Sequence, residues 1–415
     1  MFTRISIAAL AAVIAATSAL AQSAMPPTAQ TLPAVFGHDP VVLAATRQRI
    51  AARDPAIMPA ANAFIREADK LLSMKPASVM DKTRIADSGD KHDYFSIGTY
   101  FWPDPSKPNG KPYINKDGQA NPDNKKGTDF NAFSHTCTAV ETLGLAYYFT
   151  ANEAYAQKAA QLATTWFLAP ETRMNPNFNH AQAVPGKNAG RSSGVLDAHP
   201  LANLTDGLAL IAASPAWPAA SQAAMRAWLE AYYKWMTTAP NALRETAAAN
   251  NHGTWCNAQL AHIELALGKT DAARARVKRE LTARIASQIK PDGEQPEELR
   301  RTRSYHYSLY NLEPLFLLAQ LGDRVGWPES WSYATKDKRS LRAALAYVAP
   351  YVDPDKTWPH KDIEKGGIER ARAHALLRVY LAHQADPELK SLYEKFASLY
   401  AKKTDRQLLF LPAIK

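Results

Sequence analysis

An all-α protein is what the sequence predicts, an incomplete α/α toroid of about a dozen helices with long loops over a groove. Three observations carry this. Apolar residues recur at spacings of three and four through most of the 415-residue chain, whereas alternating strand-like patterns are scarce. Most loops between these segments are short, which suits helical hairpins packed side by side. No repeat at a fixed period appears, which argues against a solenoid. Composition agrees, because 46% apolar and 21% charged side chains describe a globular chain with a large core. Lys and Arg exceed Asp and Glu by ten charges, a mild hint toward acidic partners and no sign of nucleic-acid binding.

Residues 1–21 read as an export signal. Arg4 supplies a positive start, an apolar run follows, and Ala19-Leu20-Ala21 gives the small-x-small pattern for cleavage after Ala21. Polar sequence begins at once, so a membrane anchor is disfavoured and the mature form is expected to stay off the membrane. Residues 22–415 are expected to form a single domain, periplasmic in a Gram-negative host or otherwise secreted. Within it, helices are expected near 42–54, 57–74, 134–150, 152–168, 194–213 and 217–238, then near 253–267, 269–287, 304–321, 339–350, 367–384 and 387–402. Cys256, Leu260, Ile263 and Leu267 mark one apolar stripe, and Gly268 is a fitting residue just past that helix.

Two stretches interrupt the helices, 92–130 and 170–193, rich in Pro, Gly and Asn, with YFSIGTYF as a short strand possibility. Unpatterned runs of that length in a compact domain are usually functional loops. The only two cysteines, Cys137 and Cys256, are open to a disulfide or to two buried thiols. CxxC, HExxH and EF-hand patterns are missing, so the sequence calls for no metal and no cofactor.

Three clusters carry chemistry. From His92 to Gly118, Tyr94, Tyr100, Phe101, Trp102 and Tyr113 stand beside Lys107, Lys111 and Lys116. Flat aromatic faces suit sugar rings and lysines suit carboxylates, although the same rings would also pin a long loop. In the second cluster, Asn250, Asn251 and His252 precede a helical pattern, where Asn can cap and Gly253 gives backbone freedom. An amide there can donate to a carboxylate, and His can shuttle protons. The third packs Arg300, Arg301, Arg303, Tyr305, His306, Tyr307 and Tyr310 into eleven positions. In a regular helix Arg303 and Tyr307 would share a face, while Arg301 and Tyr307 would lie about 240° apart. Arg301 can therefore meet Tyr307 only if the chain before Ser304 is irregular.

β-Elimination on a uronic acid polymer uses such a set without a metal. Removing the C5 proton leaves charge on the adjacent carboxylate, which Asn, Arg or cationic His would stabilise most in the transition state. A tyrosine can take the proton or protonate the departing oxygen; alternatively His252 is the base and Tyr307 the acid. Both divisions stay open.

YFSIGTYFWPDP, RMNPNFNHAQAVPG with GRSSGVLDA, NNHGTWCNAQ, and DGEQPEELRRTRSYHYSLYNL together resemble the alginate-lyase-domain family of polysaccharide lyases. The likeness runs from about Tyr94 to Leu321. It implies an α/α toroid with a long groove, secretion, and eliminative cleavage of an acidic polysaccharide, alginate or another uronate polymer such as glucuronan. It also implies Asn251 as the carboxylate-neutralising amide, His252 in proton transfer, Arg301 as the catalytic arginine with Arg303 as substitute, and Tyr307 as the catalytic tyrosine. Tyr100, Trp102, Lys111, Tyr113, Arg191, Arg303 and His306 are expected to bind substrate. Cys256 stands where the family more often has Tyr. Two rivals remain. A glycoside hydrolase would need two carboxyl groups, drawn from Asp292, Glu294, Glu297 and Glu298, and a non-catalytic binder of acidic glycans would not need Tyr307.

Overall fold

Helix follows helix from Pro40 onward in the computed structural model, which describes residues 32–364 and 367–415. In chain order these are α1 (Pro40–Ala51), α2 (Met58–Leu72), α3 (Phe130–Thr150), α4 (Glu153–Ala163), α5 (Leu201–Leu210), α6 (Ala219–Thr238) and α7 (Pro240–Thr246). They continue as α8 (Asn251–Ala266), α9 (Thr270–Gln288), α10 (Pro296–Leu299), α11 (Ser304–Arg324), α12 (Leu341–Val348), α13 (Gly367–His383) and α14 (Pro387–Thr404). Each of the twelve expected segments holds a helix; the short α7 and α10 are additional. Residues 152–168 divide, because α4 stops at Ala163 and Thr164–Leu168 widens into a π-helical turn with Trp166 and Phe167 buried. Residues 194–213 also start late. Ser192–Ala198 winds as 3-10 turns, and α5 begins only after Pro200. Residues 1–21, expected to be an export signal, lie outside the described residues.

Residues from Pro33 to Lys415 form one unit. In it α3, α5, α8, α11 and α13 pack in succession as an inner row, with α4, α9, α12 and α14 outside them. That is the incomplete α/α toroid. The position of a helix in the two rows explains its composition. The stripe of Cys256, Leu260, Ile263 and Leu267 on α8 joins the core built around α2 to α6. Ala258, Ala261 and Leu265, on its other side, join a second core with α9, α11, α12 and α13. So α8 is buried on both faces, and a single stripe under-describes it. Several of its polar side chains are buried as well and find partners. Gln259 donates to Tyr232 Oη at 2.6 Å, His262 pairs with Asp206 at 3.1 Å, and Arg276 bonds both Glu264 and Asn257. Cys137 and Cys256 are buried, separate thiols.

The two long loops are not structureless. The first carries β1 (Phe95–Ile97), β2 (Phe101–Trp102) and β3 (Ile114–Asn115), and the second carries β4 (His180–Ala183). β1 pairs in parallel with β4, and β2 pairs antiparallel with β3. No helix among the described residues is long and apolar enough to cross a membrane.

Asp206 on α5 ties three segments together. It accepts the backbone N–H groups of Phe36 at 3.0 Å and Gly37 at 2.7 Å as well as the His262 ring. Burial raises its carboxyl, but His262, His38 and the backbone N–H of Phe36 outweigh that and the net shift is downward. A depressed carboxyl contributes stability above its unfolded pKa and loses it as pH falls through the folded value. Asp206→Ala should therefore cost on the order of 3 kcal/mol at neutral pH, since it strands buried donors. Urea denaturation should show this as a lower midpoint, and the deficit should shrink in acid.

Candidate active site

The first turns of α8 and α11 lie side by side, and both long loops fold over them. The contact between the two helices begins with a missing donor. Pro314 has no N–H for the carbonyl of Tyr310, four residues earlier in α11, and the indole N–H of Trp255 on α8 donates to that carbonyl at 3.1 Å. The Trp255 and Tyr310 rings meet at 5.3 Å.

At the start of α8, Asn250 caps the helix, its Oδ1 accepting the backbone N–H of His252 at 3.2 Å. The turn from α7 into α8 is held by α9. Arg284 donates to the carbonyls of Thr246 and Ala248, and Gln288 to those of Ala249 and Asn250. Gly253 has a different task from the one its sequence position suggested. Its φ is not left-handed; a Cβ there would run into the carbonyl oxygen of Ala248. The requirement is space, not backbone freedom.

The segment before α11 is irregular. α10 ends at Leu299, residues 300–303 leave the helix, and α11 begins at Ser304. That break brings Arg301 over the Tyr307 ring, with Cζ 3.6 Å from the ring centroid. Arg303 goes elsewhere. Its guanidinium pairs with Glu364 and, at 3.4 Å, with Glu369, which also takes His306 Nδ1 at 3.0 Å. His306 stacks on Tyr310, and Arg372 closes the cluster by bonding Glu313. The local geometry thus separates Arg301 from Arg303.

The first loop supplies the opposite wall. Asn121 and Asn124 donate into the carbonyls of Gly98 and Phe101, which fixes the β2–β3 hairpin. The hairpin then places Tyr100 Oη 2.7 Å from Tyr307 Oη. Asp117, just past β3, accepts Arg301 Nη2 at 2.5 Å and Nε at 3.2 Å, and also the backbone N–H and hydroxyl of Thr302. Of the other expected binding residues, Trp102 lies under Lys116 and donates to the Gln119 carbonyl. Lys111 is exposed, and half-buried Tyr113 joins the second loop through its N–H to Pro185. Arg191 lies over Phe101 at 4.9 Å and donates to Gln182, leaving its buried Nε without a partner. Tyr94, from the same aromatic cluster, is a core residue bonded to Asp197.

Each member of the expected catalytic set has one close partner. Asn251 is fully buried; its amide and its backbone N–H both donate to Glu298, at 2.6 and 2.8 Å, while its Oδ1 has no partner. His252, 23% exposed at its side chain, bonds the buried Glu245 through Nδ1. Arg301 has Asp117, and Tyr307 has Tyr100. Burial raises the Glu298 carboxyl against the pull of Asn251, Arg301 and His252, so all three act on the same group. Burial also pushes the Tyr307 phenol well up, Tyr100 adds to this, and Arg301 opposes it. Asp117 moves the other way: burial works against it, yet the bonds from Arg301 and Thr302 hold its carboxyl down to about 2.

Sequence reading missed Glu245, Glu298 and Asp117 as parts of this arrangement. In sequence Glu298 stands out only as a candidate carboxyl group for a hydrolase, Glu245 lies on the unforeseen α7, and Asp117 sits in a turn beside Lys116. The acids proposed for hydrolysis are otherwise engaged, Glu294 with Lys290 and Glu297 with Arg300.

The family model described as alginate lyase matches residues 78–358. The chain belongs to the alginate lyase family. An alginate lyase from Bacteroides ovatus is 36% identical to it, over 91% of this chain and 99% of that one, with a TM-score of 0.85. A variant of alginate lyase A1-III complexed with tetrasaccharide is 17% identical over 88% and 92% of the two chains, with a TM-score of 0.54, a likeness of fold alone. No curated protein matches. As a member of this family the protein is a polysaccharide lyase, which sets aside the hydrolase and the non-catalytic binder.

Asp117 ties the hairpin to Arg301 by charge, so the tie should fail in acid. With a folded pKa of about 2 against an unperturbed 3.8, its contribution is complete above about pH 4 and is lost as pH falls toward 2. Asp117→Asn should loosen the hairpin at neutral pH, read as faster amide exchange at residues 99–118. The difference from the unaltered protein should close by about pH 2.

Proposed function

We propose that the protein cleaves a uronate polymer, alginate in the first instance, by β-elimination at this site. The observation that carries the reading is Arg301 lying on the face of Tyr307, whose hydroxyl meets that of Tyr100. A phenol raised by burial stays protonated at neutral pH, so Tyr307 has a proton to give and is not available as phenolate, and it is assigned the acid role. His252, partly exposed in the first turn of α8, is assigned the base role.

In this scheme the sugar carboxylate sits against Arg301, which spends Nε and Nη2 on Asp117 and keeps Nη1 for substrate. Asn251, fully buried against Glu298, and the buried Nε of Arg191 do not reach the cleft in this resting form, so the first contact with the carboxylate is assigned to Arg301. His252 takes the C5 proton, and the electron pair left behind forms the C4–C5 double bond. The C4–O bond breaks, its pair stays on the glycosidic oxygen, and that oxygen takes the Tyr307 proton. Positive groups fixed around the carboxylate stabilise the charge that develops there more than they stabilise the resting substrate. Tyr100, Trp102, Lys111 and Tyr113 line the hairpin beside this point and are assigned to flanking sugars. Arg303 and His306, already held by Glu369, are assigned at most an indirect part in binding. The same reading takes residues 1–21 as an export signal and the periplasm as the working compartment.

Incubation with purified mannuronate-rich and guluronate-rich alginate and glucuronan, followed by absorbance of the unsaturated product, tests both class and polymer. Tyr307→Phe should retain polymer binding and lose at least about 100-fold in turnover. Product formed without the new absorbance, or normal turnover in that variant, would overturn the reading. Amino-terminal sequencing of the exported form should begin at Gln22.

A further inference from the structure

We infer that Glu245 is the positioning residue that makes His252 a base: it fixes the imidazole with its proton on Nδ1 and leaves Nε2 as the ring's one basic nitrogen. The inference rests on the catalytic reading just given. His252 touches Glu245 through Nδ1 alone, and a carboxylate oxygen can only accept, so the proton between them belongs to Nδ1. The ring's other nitrogen is then an acceptor, the form that can take a proton from carbon.

Three features show that the pair is built for this and is not a chance surface contact. Glu245 is 3% exposed and sits at the end of α7, seven residues before its partner. The five residues after it cannot drift, because Arg284, Gln288 and Asn257 hold the carbonyls of Thr246, Ala248, Ala249 and Asn250. Gly253 then lets that turn lie directly against the first turn of α8. The chain thus bends sharply between two helices and delivers acid and imidazole to each other with both backbones anchored.

The surroundings also bear on the pair. Arg191 acts electrostatically on Glu245 from the second loop, and Glu298 feels His252 from the far side. Glu245 therefore serves the Arg191 charge as well as the His252 ring, and its removal would leave His252 free to rotate and Arg191 with Asp197 as its remaining compensating carboxylate. A residue that merely pinned α7 to α8 would matter for folding and for nothing else. A positioning residue would matter for turnover at saturating substrate and for the tautomer of one ring.

The test uses the full mature chain and sodium alginate, or whichever uronate polymer of the panel it turns over. Glu245→Gln keeps an acceptor oxygen of the same reach and loses the charge; Glu245→Leu removes the acceptor. Turnover is read from the unsaturated product, and the ring tautomer from nitrogen NMR of isotope-labelled histidine, with His252→Gln identifying the signal. Glu245→Gln should keep KM and the Nδ1–H form while kcat falls about 10-fold, and Glu245→Leu should mix the tautomers and lower kcat about 100-fold or more. If Glu245→Leu misfolds, as circular dichroism would report, Glu245→Gln carries the decision alone. Unchanged kcat in Glu245→Gln, or an unprotonated Nδ1 in the unaltered protein, overturns the inference. Full turnover in His252→Ala would instead sink the catalytic reading itself, and the two failures are thereby told apart.

Discussion

The site depends on a helix that has no free face. α8 stands between the two cores, and the groups that would be its solvent side in an ordinary surface helix are spent on Asp206, Tyr232 and Arg276. A helix held from both sides cannot roll or slide without breaking close packing and buried hydrogen bonds together. Its first turn is therefore a fixed platform, and His252 inherits that rigidity. Catalysis by orientation needs this, because small displacements of a proton acceptor are costly in rate.

Around the platform, the chemistry is arranged in pairs. Glu298 holds Asn251, Glu245 holds His252, Asp117 holds Arg301 and Tyr100 meets Tyr307. The four partners come from different segments: α10, α7 and both arms of the hairpin in the first long loop. A mobile loop alone would leave the arginine and the tyrosine with several orientations each. The carboxylate of Asp117, bonded at once to a guanidinium, a backbone N–H and a hydroxyl, removes that freedom on one side. The consequence is a resting site whose charges are already compensated, so a substrate carboxylate competes with protein acids for the same donors.

Much of this was legible in the residues. Arg301 and Tyr307 lie six apart, a spacing that fails on a regular helix, and the expected irregularity is present between α10 and α11. Asn250 was readable as a cap because Asn before an apolar run has few other uses. Tyr94 stays open in sequence, because an aromatic in a proline-rich loop looks the same whether it faces a ligand or the core; Asp197 and the surrounding rings decide it. Gly253 was read for its torsional freedom when the structure uses its missing Cβ.

By itself the sequence determined the helical period, the two long interruptions and the residue types of the Asn–His–Arg–Tyr set, because periodicity and local side-chain chemistry are properties of near neighbours. Only the tertiary structure decided which acid partners which member of that set, and that Arg301 rather than Arg303 meets Tyr307. Asp117 and Arg301 are 184 residues apart, and Tyr100 and Tyr307 are 207 apart. Pairings at such separations are set by how the inner helices stack and how the loops fold back over them, and no local pattern records that.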